Sequence, residues 1–305
     1  MENKKTISVV VPILNEVAMV EEIYTRVAKV FETMYQYTFE LVFFDDGSTD
    51  GTKEAIEALS KEHAEVKGVF YTRNFGYLKN TFYAMQQAKG DCAFLLHADL
   101  QNPPELIPQF IEKWEAGAQV VLGIKHKSRE NKFMYFLRSV FYFFMTKVFG
   151  VNIKPHATEF ELFDKSFVAI LKQIKANNPF LRGIVSEYAA NVDYVYYVQD
   201  ARAKGKSKFN VNKYYDFAIC GITNHSKKLP RHGIAFTLLC MLGSILEFIF
   251  YFLPHFAIGG LFIRCAFFAI CVFMLFLFLL FEFRLSAKEQ EPQKPMVVEE
   301  KRINY

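Results

Sequence analysis

The first 125 residues alternate between short apolar runs and segments of helical period, and that alternation constrains the fold more than any other feature. Residues 7–11 form a β-branched run, residues 39–44 are apolar, and further runs lie at 66–71, 92–96 and 119–124. Between them, residues 17–34 carry Val20, Ile23, Val27 and Val30 at helical spacing, and 51–62, 77–89 and 104–116 read as helices, the last opening at Pro104. Near-continuous apolar strands separated by helices predict βαβ units, hence an α/β fold with a parallel sheet covered by helices on both faces.

The polar residues fall where such a sheet holds a ligand. Pro12, Asn15 and Glu16 follow the first strand, and Asp45, Asp46, Gly47 and Ser48 follow the second. Arg73 and Asn74 follow the third, and His97 and Asp99 follow the fourth. All four clusters sit at carboxyl ends of strands, the edge where open α/β sheets bind ligands. One such cluster would mean little, because Asp and Asn are ordinary turn residues; four in register point to a site.

The second half has a different character. Residues 233–252 are apolar except for Glu247, and after the break at Leu253, Pro254 and His255 a second run reaches 281, interrupted only by Arg264. Each is long enough to cross a bilayer at about 20 residues. The expectation is a transmembrane hairpin, with helices at about 233–252 and 257–281 inside a segment 232–282. Lys227, Lys228 and Arg231 precede it and Arg284 and Lys288 follow, so both ends are expected in the cytoplasm. The remaining tail, 283–305, is charged and expected to be mobile and cytoplasmic. Residues 132–150 are aromatic but carry Lys132, Arg138 and Lys147, which suits a helix lying on a membrane surface; a buried helix of the sheet domain is the alternative. Residues 211–231 are read as an interfacial connection, leaving 1–210 as the sheet domain.

A net charge of +4 is too mild to argue for nucleic acid. Cys92, Cys220, Cys240, Cys265 and Cys271 have no CxxC spacing and read as small buried hydrophobes. Met1 to Lys5 leads into a short strand-like run and not a long apolar stretch, so the N-terminal part is expected in the cytoplasm. Neither GxxxxGK[ST] nor GxGxxG occurs, which removes Walker-type NTPases and standard dinucleotide enzymes. Carboxylates beside a glutamine, with Asn and Arg nearby, suit a hard divalent cation bridging phosphates, Mg²⁺ or Mn²⁺.

The motifs "SVVVPILNE" (8–16), "DDGSTDGT" (45–52), "RNFG" (73–76) and "ADLQNPPE" (98–105) together resemble the family 2 glycosyltransferases of GT-A fold. More narrowly, with "FLRGIVS" (180–186), "ARAKGKSKF" (201–209) and the two apolar runs, the chain is similar to polyprenyl-phosphate glycosyltransferases such as dolichol-phosphate mannose synthase and the bactoprenol glucosyltransferases. The resemblance implies a GT-A nucleotide-sugar domain and inverting transfer of a hexose from a nucleotide diphosphate sugar (a UDP-hexose or GDP-mannose) to a polyprenyl phosphate, in the service of cell-envelope glycan or lipid-linked sugar synthesis. It implies a multi-pass protein of the bacterial inner membrane, in contact with membrane lipids, and admits a homo-oligomer. Pro12, Glu16, Asp45, Asp46, Arg73 and His97 would hold the donor. Asp99 and Gln101, with His97 as a further candidate, would bind the metal. Asp99 and Glu159 would stand at the reacting centre, and Arg202, Ser207 and Lys208 would hold the acceptor phosphate. Lys204, Lys206 and Lys208 interleaved with Gly205 and Ser207 also make an anion site in their own right, or a generic basic stretch against anionic lipid.

The chain departs from the family pattern in several places. His97 stands where the family has Asp. Glu159-Phe160-Glu161-Leu162 stands for Asp-Phe-Arg-Leu, a charge reversal at Glu161. Gln199 replaces an arginine of many members, and Glu187 a tryptophan. A processive synthase would need a Gln-x-x-Arg-Trp motif, and the one tryptophan, Trp114, lies in an early helix. A non-catalytic relative binding nucleotide sugar or lipid phosphate, or a transferase with another acceptor, are the rival expectations.

Overall fold

The computed structural model describes residues 4–127, 142–143, 146–147, 150, 153–154, 157–176, 179–198, 228–250, 261–288 and 295–305. The chain divides into two units: residues 1–138, 152–220 and 293–305 form the first, and 139–151 with 221–292 the second.

The first unit is built on an eight-stranded sheet. Its elements in chain order are β1 (Lys5–Ile13), α1 (Val20–Glu32), β2 (Tyr37–Asp45), α2 (Thr52–Glu62), β3 (Val66–Tyr71), α3 (Tyr77–Gln87), β4 (Cys92–Leu95), α4 (Ile107–Glu115), β5 (Val120–Lys127), β6 (Ala157–Asp164), α5 (Lys165–Gln173), α6 (Leu181–Tyr188), β7 (Val192–Val198) and, at the C-terminus, β8 (Glu299–Ile303). The strand order is β7-β5-β6-β4-β1-β2-β3-β8. Strands β4, β1, β2 and β3 run parallel, as expected. The sheet as a whole is mixed: β6 is antiparallel to both β4 and β5, and β8 is antiparallel to β3.

Period-two alternation sends Ile7, Val9 and Val11 of β1 into one core with α1, α2 and α4, where Ile23, Val27, Ile56, Phe110 and Trp114 meet them. Val10, Val42, Phe44 and Leu95 go to the opposite face, under Phe82 and Met85 of α3, Phe167 of α5 and Ile184 of α6. Fully burying each such side chain contributes about 1.5–3 kcal/mol, which is why these strands read as unbroken apolar runs.

The C-terminal residues correct the expectation of a mobile tail. Val297 is buried, Thr72 N–H donates to the Val298 carbonyl at 3.0 Å, and Asn304 Nδ2 donates to the carbonyls of Ser60 (2.7 Å) and Val66 (3.2 Å). The β3 edge is thereby covered by the end of the chain itself, which removes an exposed strand edge.

In the second unit, α7 (Lys228–Phe250) and α8 (Leu261–Lys288) coincide with the expected spans and pack on each other. A Cβ at Gly233 would overlap the Phe278 ring, so the two helices need glycine at that crossing. Large apolar side chains of both are exposed, among them Leu239, Leu242, Ile270 and Phe273. Among the described residues no helix is long and apolar enough to cross a membrane. The expected surface helix 132–150 and connection 211–231 lie almost wholly outside the described residues. Cys92 and Cys271 are buried, as small hydrophobes are, whereas Cys240 is only half-buried.

Candidate active site

Because β4, β1, β2 and β3 are parallel neighbours, their carboxyl ends form one edge. The chain runs from β1 outward through β2 to β3, then returns to place β4 on the other side of β1. The β4/β1 boundary is therefore a topological switch point, where the connecting segments part and leave a crevice. Four of the sequence clusters line this edge. Pro12 is the penultimate residue of β1, and Glu16 follows the strand with its N–H on Thr52 Oγ1 at 3.1 Å.

The "DDGS" turn has a local physical cause. Asp45 accepts from the backbone N–H of Ser48 at 3.3 Å and from its hydroxyl. Gly47 takes φ +74°, and a Cβ there would stand 2.6 Å from the carbonyl carbon of Arg73. Only glycine lets the end of β2 lie this close to the end of β3. Asp46 then accepts the N–H groups of Phe75 (2.7 Å) and Gly76 (3.0 Å), pinning the loop before α3. Burial, offset in part by these two donors, raises the Asp46 carboxyl to about 6. Burial raises Asp45 as well. Asn15, in the left-handed region at φ +50°, ties the β1 end to the same turn: its N–H donates to Ser48 Oγ at 2.8 Å and its Oδ1 accepts from Thr49 N–H at 2.7 Å. Arg73 is exposed, its guanidinium 4.9 Å from the Phe75 ring centre.

Beyond β4, Leu100 is forced to φ +51°, a conformation a branched side chain adopts at a cost of about 1–2 kcal/mol. Its buried side chain holds it there. The result is a tight turn in which Gln101 N–H donates to Asp99 Oδ1 at 3.2 Å and Tyr197 of β7 donates to Asn102 Oδ1 at 2.7 Å. Strain held by packing on both sides marks a turn whose shape is specified.

His97 turns toward β6. Its Nε2 lies 3.1 Å from the Glu159 carbonyl. A carbonyl oxygen only accepts, so Nε2 carries the proton and is unavailable to a metal; Nδ1 lies 3.5 Å from the Tyr77 hydroxyl. The histidine satisfies itself largely on backbone, as an ordinary half-buried histidine does. The register Leu95↔Glu161 puts the start of β6 at the site edge, because β6 is antiparallel to β4. Glu159, 4% exposed, accepts from the Tyr77 hydroxyl and faces Arg182 of α6 at 3.5 Å. Burial beside this carboxylate pushes the Tyr77 phenol well above its ordinary value.

The structure thus brings together Pro12, Glu16, Asp45, Asp46, His97 and Glu159 around one edge, with Asp99 and Gln101 in a single turn. Arg202, Ser207, Lys208 and Gln199 lie outside the described residues. Tyr77, Arg182 and Tyr197 join the cluster without having been singled out as site residues. Arg182 sits inside the quoted "FLRGIVS" segment, but the two tyrosines have no local signal, since long-range packing alone places them. Among the described residues no group of three or more His, Cys, Asp or Glu side chains could hold a metal ion. One aspartate and one glutamine do fit a cation that takes most of its ligands from substrate phosphates and water, as Mg²⁺ usually does.

Residues 8–206 match the family model described as glycosyl transferase family 2. A prophage bactoprenol glucosyl transferase homolog of Escherichia coli (strain K12) is 35% identical over 221 residues, 72% of each chain. The bactoprenol glucosyl transferase of Shigella phage SfV matches at the same identity over the same share. An uncharacterized glycosyltransferase of Bacillus subtilis (strain 168), YkcC, is 33% identical over 251 residues, 82% of this chain and 77% of that one. Among solved structures, glucosyl-3-phosphoglycerate synthase from Mycobacterium tuberculosis in complex with uridine-diphosphate shares the fold at a TM-score of 0.51 and 18% identity, over 72% of this chain and 78% of that one. Its fold likeness agrees with a GT-A-like α/β domain on a mixed sheet. A strand edge carrying these motifs, in a chain matched by the family model over most of its sheet unit, belongs to glycosyl transferase family 2, and the protein is a glycosyltransferase.

Proposed function

We propose that the enzyme transfers a hexose, with inversion, from a nucleotide diphosphate sugar to a polyprenyl phosphate at a membrane surface. The observation that carries this reading is the 35% identity, over 72% of the chain, to proteins named bactoprenol glucosyl transferases. The buried Glu159 beside the Asp99 turn is the reacting centre that the reading requires.

A phosphate monoester has its second pKa near about 6, so the acceptor oxygen is largely ionised at neutral pH and needs no strong base. That oxygen attacks C1 of the hexose from the face opposite the leaving nucleoside diphosphate; the C1–O bond to the diphosphate breaks as the new one forms. Glu159 orients the acceptor and the sugar. The loops fixed by Asp46, Asn15 and Ser48 hold base and ribose at Pro12 and Glu16. Asp99 and Gln101 would hold Mg²⁺ or Mn²⁺, which would neutralise the diphosphate as it departs. Arg202, Ser207 and Lys208 would hold the acceptor phosphate.

The membrane part of the reading is a hairpin of α7 and α8 with both ends in the cytoplasm. Its support is the run of apolar residues in each helix, their exposed Leu, Ile and Phe side chains, and basic residues at both outer flanks. The return of the chain to pair β8 with β3 requires any crossing to occur an even number of times.

The test is a donor screen with full-length protein, undecaprenyl phosphate and Mg²⁺ or Mn²⁺. A sugar-linked lipid phosphate is expected with one donor. Donor hydrolysis without lipid product under every combination would refute the acceptor assignment.

A further inference from the structure

β6 carries two glutamates two residues apart, Glu159 and Glu161, so the alternation of a strand puts both on one face. Phe160 and Leu162 enter the opposite core, while Phe163 packs with the Glu159 face. Glu161 is 1% exposed and lies deeper in the sheet than Glu159; its partners across the two neighbouring strands are Leu95 of β4 and Leu122 of β5. Its Oε2 has no hydrogen-bond partner, nor has Oε1 of Glu159. Among the described residues, the charged and titratable groups facing the pair are Arg182 from α6 and Tyr77 from α3, with His97 beyond Glu159.

One guanidinium can balance one carboxylate. Two carboxylates and one arginine in an apolar surrounding would leave a buried net negative charge, which is strongly unfavourable. The pair resolves this if one member keeps its proton. Geometry decides which: Arg182 is placed at Glu159, 3.5 Å away, and Tyr77 donates to Glu159. Burial first, and the Glu159 charge second, push the Glu161 carboxyl well above its ordinary value.

We propose that Glu161 is a positioning residue: it stays a neutral carboxylic acid, leaves Arg182 to Glu159, and so holds the Glu159 carboxylate in line at the site edge. This rests on the reading of Glu159 as the site carboxylate. It also assigns a use to the charge reversal at the third position of the Glu-Phe-Glu-Leu segment. The family's arginine is absent there, and a second carboxyl is accommodated most readily in its neutral form.

Three measurements on the full-length protein test this. At neutral pH the infrared spectrum should contain the carbonyl stretch of a protonated carboxyl, and E161Q should lack it. Second, E161A should lower kcat about 10-fold or more, with the donor KM changed less than about 3-fold; E161Q, neutral and of the same shape, should recover most of that loss. Third, wild-type kcat should fall along an alkaline limb as Glu161 ionises and competes for Arg182, and that limb should vanish in E161Q. The acceptor phosphate titrates on the acid side and does not confuse this limb. A neutral-pH spectrum without the protonated band, or an alkaline limb unchanged in E161Q, overturns the inference. E159Q separates the two readings: an active E159Q would remove Glu159 from the chemistry, whereas the infrared band of the wild type reports the proton on Glu161 whatever Glu159 does in turnover.

Discussion

The carboxylates at the end of β2 and those on β6 are buried to a similar degree, yet they are held in opposite ways. Asp45 and Asp46 accept from backbone N–H groups and a serine hydroxyl, donors that never change charge. Glu159 and Glu161 depend on one arginine and one phenol reaching in from two different helices. The first arrangement is rigid because glycine geometry and main-chain donors dictate it; the second is adjustable because its parts can trade protons. Where a ligand must be gripped the same way each turnover, fixed donors serve. Where charge shifts during the reaction, a carboxylate set against a mobile cation serves better.

The sharpest way to break the comparison is to neutralise one acid at each working position. D99N should lower kcat/KM about 1,000-fold, since the charged metal ligand is lost, and E159Q should lower kcat about 100-fold or more. Both losses of activity should far exceed any fall in thermal midpoint, which for D99N is limited to one turn hydrogen bond from Gln101 N–H and for E159Q to the contacts with Tyr77 and Arg182. Steady-state kinetics with a lipid acceptor, alongside unfolding in detergent, provide the check. If D99N left turnover intact, the metal reading of the turn would be wrong.

The next prediction concerns the rigid region alone. Gly47 and Gly76 both have positive φ, at +74° and +96°, but a Cβ at Gly47 would strike the Arg73 backbone whereas at Gly76 nothing lies within 4 Å. G76A, at φ +96° and ψ 151° in a region that glycine alone adopts readily, should therefore cost the conformational strain alone, about 1–3 kcal/mol. G47A should cost about 3 kcal/mol or more, because backbone must move as well. Equal losses in chemical denaturation would mean that the β2–β3 approach is not tight in solution.

How much of this was legible in the sequence follows from the range of each cause. The parallel core strands were readable because burial on both faces writes an unbroken apolar run, and residues 66–71 match β3 end to end. The strand-end acids were readable because local turn chemistry selects Asp, Gly and Ser there. By contrast β6 reads "ATEFELFD": its two glutamates look like a solvent face, and only the Arg182–Tyr77 cluster explains why they are inside. β8 reads "EEKRI", polar and far from β3 in sequence, so its pairing rests on contacts such as Lys301–Glu57 at 3.0 Å that no local pattern encodes. His97 follows β4 at the strand edge, as its position in the sequence implies, but its ring is directed by a carbonyl on β6, 62 residues away.

The smallest expected effect separates the two regions by pH. Asp46 has its folded value raised to about 6 from an ordinary value of 3.8. A carboxyl raised in the folded state gives stability that is complete below its unfolded pKa and is lost as pH rises through the folded one. Its contribution should therefore fade between about pH 4 and pH 6 and be level above that. Glu161 obeys the same sign, but its folded value lies well above the ordinary 4.5, so its part of the slope should continue past the point where Asp46 is spent. The thermal midpoint of the wild type, followed against pH, should fall across both parts of this range, by several degrees over the Asp46 part. D46N should flatten only the acid part of that curve, at the expense of a uniformly lower midpoint, because an amide nitrogen cannot accept from one of the two loop N–H groups. E161Q should flatten only the later part. A curve in which D46N removed the slope above pH 6 would mean that the fixed-donor region, and not the β6 pair, holds the proton at neutral pH, and the contrast between the two sets of acids would be lost.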